Sequence, residues 1–298
     1  MKLSIVIPNY NGRQLLESNF SKVISFVKNL KPGDAEIIIV DDCSRDDSIS
    51  FLQQNYQKEI RLIKHTQNRG FSSAVNTGVR AANGEFIFLL NNDAYPKNNF
   101  FYNILDLFED KKVFAISLNE ENGFGPASAK FENGFVELVN RKPVKGIEKS
   151  FFVSGGSGIF RKSIWKELGG LDEKLFSPYY WEDLDICYRA MKRGYVNLWD
   201  PNSKVVHNHE STISKLNRNK VNLIRERNQI LFIWKNISSS SYIKKHIGGV
   251  FSRISAHPGY LKVLVLAIVK VLAVLKLRRK EMKETTVSDE AIFAMFKS

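Results

Sequence analysis

The sequence predicts an α/β fold: a mostly parallel, doubly wound sheet followed by a helical C-terminal extension. Three observations carry that prediction. Short β-branched and aromatic runs alternate with segments of helical periodicity over the first 210 residues. The connections are short, as right-handed crossovers require. The last third then changes character: residues 204–298 hold 18 Lys+Arg against 6 Asp+Glu, whereas residues 1–203 hold 26 against 25. Nearly all of the +13 net charge therefore lies in that third, which points to nucleic acid or an anionic membrane surface as its partner. The expected division is 1–210 and 211–298.

Leu3 to Ile7 is the first strand, stopped by Pro8-Asn9-Tyr10-Asn11-Gly12. Leu16, Phe20, Val23, Val27 and Leu30 recur at helical spacing, and Lys31-Pro32-Gly33-Asp34 ends that helix. Glu36 to Val40 is a second strand closing on Asp41-Asp42, and Ser44-Arg45-Asp46-Asp47 resembles a capping box opening a helix over about 45–56. A third strand at 60–63 and a helix at 71–82 lead to Phe86-Ile87-Phe88-Leu89-Leu90, too short for a buried helix and apolar on both faces. It ends in Asn91-Asn92-Asp93. A helix over 97–112, strand-and-loop material to 150, and the glycine-rich stretch Gly155-Gly156-Ser157-Gly158 follow. That stretch is either a close backbone approach to a ligand or a bulged, tightly packed strand. A helix near 161–168 precedes Gly169-Gly170-Leu171-Asp172-Glu173. Another opens at Tyr179-Tyr180-Trp181-Glu182-Asp183 and runs to about Arg193, and a strand near 196–199 leads on to Val205-Val206-His207.

Three parallel strands thus finish in polar sets, Pro8-Asn9-Tyr10, Asp41-Asp42 and Asn91-Asn92-Asp93, on one rim of the sheet. Open α/β sheets bind ligands outside the carboxyl ends of their strands. One such set is ordinary turn chemistry; three together favour a nucleotide site, with Asp93 suited to hold Mg²⁺ or Mn²⁺ against a diphosphate. No Gly-x-Gly-x-x-Gly follows the first strand and no P-loop is present, which speaks against a dinucleotide dehydrogenase or P-loop kinase. Two cysteines, Cys43 and Cys187, provide neither a disulfide framework nor zinc spacing. The opening apolar run is too short for a signal peptide, so the expected location is cytoplasmic.

Taken in order, these motifs resemble family-2 glycosyltransferases with the GT-A fold, over roughly residues 3–211. The matching residues are Ile5-Val6-Ile7-Pro8-Asn9-Tyr10-Asn11-Gly12, Val40-Asp41-Asp42-Cys43-Ser44, Asn68-Arg69-Gly70-Phe71, Asn76, Leu89 to Asp93, Gly169 to Glu173, Trp181 to Asp185, and His207. The flavour is that of bacterial rhamnosyltransferase-like enzymes of surface polysaccharide synthesis. The resemblance implies inverting transfer of a sugar from a nucleoside-diphosphate donor to a hydroxyl of a glycan or lipid-linked acceptor. It assigns Pro8, Tyr10, Asp41, Arg69, Asn76, Asn91 and Asn92 to the donor, and Asp93 and His207 to a Mn²⁺ or Mg²⁺ ion. Asp183 becomes the general base with Glu182 beside it, and Gly156 and Trp181 fall on the acceptor side. Asn91 stands where the family has the first aspartate of Asp-x-Asp, leaving one charge fewer for the metal. His209, two residues beyond His207, is an alternative ligand, although the spacing to Ser211 favours His207. Glu182 and Asp183 could instead serve only a helix N-terminus.

In the basic third, Leu261 to Leu277 is nearly all apolar, interrupted by Lys262, Lys270 and Lys276. Those lysines fall within about 120° of one another on a helix. Three charges argue against a spanning helix and for one lying in an anionic leaflet, peripheral on the inner face of the cell membrane. Packing on its own domain or on a second copy is the alternative. Nucleic acid is the weaker partner, because the basic residues accompany aliphatics without a known reader motif. A nucleotidyltransferase on a similar fold and a non-catalytic sugar-nucleotide or membrane scaffold are the rival functions.

Overall fold

The structure is a computed structural model that describes residues 1–121, 123, 125–139, 141–208 and 217–296. In chain order the first half is β1 (Leu3–Asn9), α1 (Arg13–Lys28), β2 (Ala35–Asp41), α2 (Ser48–Tyr56), β3 (Ile60–Lys64), α3 (Phe71–Ala81) and β4 (Phe86–Leu90). There follow β5 (Ala94–Pro96), α4 (Phe101–Leu107), β6 (Val113–Glu120), a hairpin of β7 (Ser128–Glu132) and β8 (Phe135–Val139), β9 (Glu148–Lys149), β10 (Ser157–Arg161), α5 (Lys162–Leu168), α6 (Glu182–Lys192) and β11 (Val196–His207). Among the described residues α7 (Arg218–Asn236), α8 (Ser240–Ala256), a 3-10 turn (Pro258–Tyr260), α9 (Leu261–Ile268), α10 (Val271–Glu284) and α11 (Asp289–Ala294) follow.

The main sheet runs β3-β2-β1-β4-β10-β6-β11-β5, with β9 on β11. Pairing is parallel from β3 to β4 and between β6 and β11, while β10 is antiparallel to both its neighbours. Alternation along the buried strands divides the core in two. Leu3, Ile5 and Ile7 face α1 and α4 with Phe20, Phe26 and Phe101; Val6 faces α3, α5 and α6 with Val75, Trp165 and Ile186. The parallel half brings the C-terminal ends of β1, β2 and β4 to one rim, as their lengths and order require.

Several local expectations are corrected. The glycine-rich stretch divides between its two readings, Gly155 and Gly156 forming a turn at the strand ends and Ser157 and Gly158 opening β10, whose five residues are all buried. The helix expected over 97–112 is α4 alone: Lys97 N donates to Lys204 O and Asn98 Oδ1 accepts from Lys204 N, so the start of that span stays with the β5–β11 edge. α2 opens at Ser48 and is capped by Asp46, which accepts from both the amide and the hydroxyl of Ser48; Ser44 is drawn back to Asp41. The continuous helix expected over 261–277 is two, α9 and α10, meeting at Val269–Lys270. Lys270 does not join a solvent-facing lysine stripe: its Nζ donates to the carbonyls of Lys174 and Leu175 at 2.7 and 2.9 Å.

The expected domain boundary falls in residues 209–216, outside those described, as do His209 and Ser211. On its far side the helices build a third core with the rest of the chain: Ile230, Phe232, Val263, Ala267, Val274 and Phe293 pack with Phe151, Phe176, Trp181 and Tyr188. Among the described residues no helix is long and apolar enough to cross a membrane.

Candidate active site

The strand ends and the start of α6 enclose a cleft of about 400 Å³ lined by Pro8, Tyr10, Asp42, Asn91, Asn92, Asp93, Gly156, Tyr179, Tyr180, Glu182 and Asp183, among others. Its floor is knitted by amides. Asn92 Nδ2 donates to Asn9 Oδ1 at 2.8 Å, and Asn9 Nδ2 donates to Asp41 Oδ2 at 2.9 Å. Gly12 permits this: a Cβ there would stand 2.1 Å from Asn92 Nδ2.

Asp41, expected to meet the donor, is fully buried behind the wall. Its carboxylate accepts from Asn9 and from both the amide and hydroxyl of Ser44, so it braces two strand ends. Asp42 lines the cleft in its place. It accepts from the amides of Arg69 and Gly70 at 2.9 and 2.7 Å and pairs with His65 Nδ1 at 2.7 Å, fixing the loop before α3. The adjacent carboxylates were visible in sequence; which one faced the cleft depended on the register of β2. Arg69 reaches outward to Glu173 at 3.5 Å, with its side chain 45% exposed, and is not in the cleft wall. Asn76 is buried and clasps the Gly169–Glu173 turn, donating to Leu171 O and Glu173 Oε1 and accepting from Leu171 N. Those bonds use up its amide, so it serves the turn rather than a donor.

On the other wall Asp93 is buried, with Oδ1 3.1 Å from His207 Nε2 but in no aligned hydrogen bond. His207 Nδ1 lies 2.9 Å from Glu120 Oε1. Burial opposes a charge on the imidazole, but the carboxylates of Asp93 and Glu120 on either side of the ring outweigh it and lift the pKa to about 9. The protonated ring thus holds positive charge between two carboxylates. Asn91 Nδ2 stands 3.4 Å from His207 Nε2. Gly156, expected on the acceptor side, belongs to this cluster instead: its carbonyl accepts from Asn91 N, and a Cβ would sit 2.5 Å from Asn91 Nδ2 and 3.1 Å from His207 Cε1. Glu120, at the end of β6, carried no signal in the sequence.

This donor set suits a divalent cation. Asp93 offers a buried oxygen in no aligned hydrogen bond, and His207 would have to give up its Nε2 proton to an arriving ion, keeping Nδ1–H on Glu120 in the carboxylate-backed arrangement of metal-binding histidines. Among the described residues no group of three or more His, Cys, Asp or Glu stands ready to hold a metal, so an ion held by Asp93 and His207 would need further oxygen ligands from outside the protein.

The third wall is the start of α6. Tyr180 and Trp181 have φ of 71° and 79°, a left-handed conformation that such residues rarely adopt. Asn228 of α7 holds it in place: one Nδ2 donates to the carbonyls of Phe176, Tyr179 and Tyr180 at 2.8–2.9 Å. Tyr179 and Tyr180 face the cleft, whereas Trp181, expected on the acceptor side, turns into the third core against Phe232, ring centroids 5.1 Å apart. Asp183 accepts from the Leu184 amide at 2.8 Å and from Gly155 N–H. Burial nevertheless raises its pKa, the amides opposing. Glu182 is buried, with Oε2 unbonded; burial and the Asp183 charge push it up to about 8. Glu182 therefore keeps its proton near neutral pH, and burial opposes charge on Asp183 beside it as well.

A large, mostly parallel sheet with helices on both faces, a polar cleft at its strand ends and several C-terminal helices is a GT-A type fold. Residues 4–168 match the family model described as glycosyl transferase family 2, more than half of the chain. The chain belongs to that family. It is 25% identical over 217 residues to the pre-mycofactocin glycosyltransferase of Mycobacterium tuberculosis, covering 71% of this chain and 43% of that one. It is 24% identical over 217 residues to the O-antigen chain rhamnosyltransferase WbaN of Salmonella anatum, covering 70% and 67%. The crystal structure of GalNAc-T7 with UDP, GalNAc and Mn²⁺ superposes with a TM-score of 0.65 at 15% identity, over 87% of this chain and 57% of that one. The chain thus spans under half the length of the mycobacterial relative.

Proposed function

We propose that the chain is an inverting glycosyltransferase that moves a sugar from a nucleoside diphosphate to a hydroxyl of a glycan or lipid-linked acceptor in surface polysaccharide synthesis. The observation that carries this reading is that Asp93 and Asp183 face one cleft from opposite elements, β4's end and α6's start. Relatives named for rhamnosyl and other glycosyl transfer support it.

Pro8, Tyr10 and Asp42 would receive the nucleoside, and Asn91 to Asp93 the diphosphate side. Asp93 and His207 would hold a divalent cation, which supplies positive charge to a departing diphosphate. Asp183 takes the proton of the acceptor hydroxyl as its oxygen bonds to the anomeric carbon and the carbon–diphosphate oxygen bond breaks on the opposite side. Attack from the face opposite the leaving group inverts the anomeric configuration. Glu182, which keeps its proton near neutral pH, adds no second negative charge beside Asp183. Tyr179 and Tyr180, which line the cleft beside Asp183, would contact the acceptor. Screening nucleoside-diphosphate sugars for hydrolysis and for thermal stabilisation, with and without Mn²⁺, tests the reading. No hydrolysis and no stabilisation by any of them would overturn it.

A further inference from the structure

The exposed apolar side chains of α9 and α10 form a line. Leu261, Val265, Ile268, Leu272 and Leu275 recur every three or four residues, with Val269 beside them, on the face opposite the buried Val263, Ala267 and Val274. Val269 and Leu272, at the elbow between the helices, are 79% and 80% exposed. Continued at 100° per residue, the same line passes through Arg279 and Lys283, with Lys262, Lys276 and Lys280 on its flank. All five are exposed. Glu281 and Glu284, the acids of α10, are turned back to Arg193 and do not offset that charge. Apolar residues thus lead and cations follow on one stripe, and its charge complements an anionic surface.

We propose that this stripe seats the protein on an anionic lipid surface, the elbow at Val269 and Leu272 entering the headgroup boundary and the basic residues meeting the headgroups. The docked ridge is tied to the cleft. Lys270, at the elbow, holds the carbonyls of Lys174 and Leu175, in the segment that leads to Tyr179 and Tyr180 on the cleft wall. Docking of the ridge would thus be coupled to the cleft wall through that segment.

Co-sedimentation of the full chain with phosphatidylglycerol-containing vesicles, and with pure phosphatidylcholine vesicles, tests the proposal without donor or acceptor, so its failure is separable from failure of the transferase reading. Binding to the anionic vesicles alone is expected, weakened by high salt. Two surface variants, Val269→Ser with Leu272→Ser and Lys276→Glu with Arg279→Glu, should each lower the partition at least about tenfold while thermal stability stays unchanged. No binding by the unaltered chain, or undiminished binding by both variants, overturns the proposal. So does a dimer by sedimentation velocity that the serine variant breaks without any vesicle binding, since the stripe would then be an interface between copies.

Discussion

Replacing Glu182 with glutamine should stabilise the protein, and by an amount that grows with pH. The carboxyl is 8% exposed, one of its oxygens lacks a hydrogen bond, and its pKa is pushed up to about 8 from an ordinary value near 4.5. Below pH 4.5 the folded and unfolded chains both carry the proton, and the group has no effect. Between 4.5 and 8 the unfolded chain releases a proton that the folded chain keeps, so stability falls as pH rises. At 1.36 kcal/mol per pH unit the loss reaches about 5 kcal/mol above pH 8. Glutamine keeps the shape and has no proton to lose. For a chain of 298 residues that energy corresponds to a midpoint rise of at most ~8 °C, and water entering the cleft reduces it to roughly 3–8 °C. Thermal unfolding of both proteins from acid to alkaline pH should give midpoints that coincide near pH 4.5 and separate above neutrality. A difference that is flat with pH, or a variant less stable at alkaline pH, would refute the description of Glu182 as a buried carboxyl that keeps its proton.

Asp183→Asn should retain donor binding by calorimetry yet lose about 10²–10⁴-fold in turnover, the usual worth of a general base; near-normal rates would remove Asp183 from that role. Asp93→Ala should weaken Mn²⁺ and donor binding together, and full activity in excess chelator would show that the Asn91-containing set works without metal. Gly156→Ala places a Cβ within 2.5 Å of the Asn91 amide, so donor hydrolysis should fall about 10²-fold through displacement of Asn91 and His207. Unchanged hydrolysis in that variant would mean the cluster yields without cost.

The strands and the rim they build were legible because apolar runs and polar stops are local signals. Asn91, Asn92 and Asp93 follow β4 in sequence as in space. Side-chain direction was not legible. Asp41 and Asp42 look alike on the page, and only the pleat of β2 sends one behind the wall and the other onto it. Asn76 reads as a donor contact until the Gly169–Glu173 turn is seen folded onto it. Glu120 and Asn228 come from β6 and α7, 87 and 52 residues from the groups they serve at His207 and Phe176. No spacing rule links residues that meet only through tertiary packing. The break at Val269–Lys270 was hidden for the same reason: the two carbonyls that capture Lys270 lie almost a hundred residues upstream.

That capture belongs to a wider arrangement which gives the basic third a structural task besides any surface it meets. α6 carries the two cleft carboxylates at its start, and behind them it is fixed by buried charge. Asp185 is paired with Arg189 on its own helix and Lys235 on α7, and accepts from Asn236 as well. Although burial opposes its ionisation, Arg189 and Lys235 hold its pKa below the ordinary carboxylate range. One turn further on, Asp289 of α11 accepts from Lys192 and Tyr188 of α6 and from the amides of Ser238 and Ser239. Buried pairs of this kind contribute little net stability over apolar packing but are costly to break singly, by about 3–5 kcal/mol. They therefore set position more than stability. α7 and α11 grip α6 at two places, and Asn228 fixes the strained turn in front of it. Removing the chain from about residue 258 onward would take away Asp289, Ile292 and Phe293 together with the surface stripe. Such a truncation would disturb the base helix as well as any membrane contact, which is why point changes at Val269 and Leu272, bound to neither network, separate the two tasks.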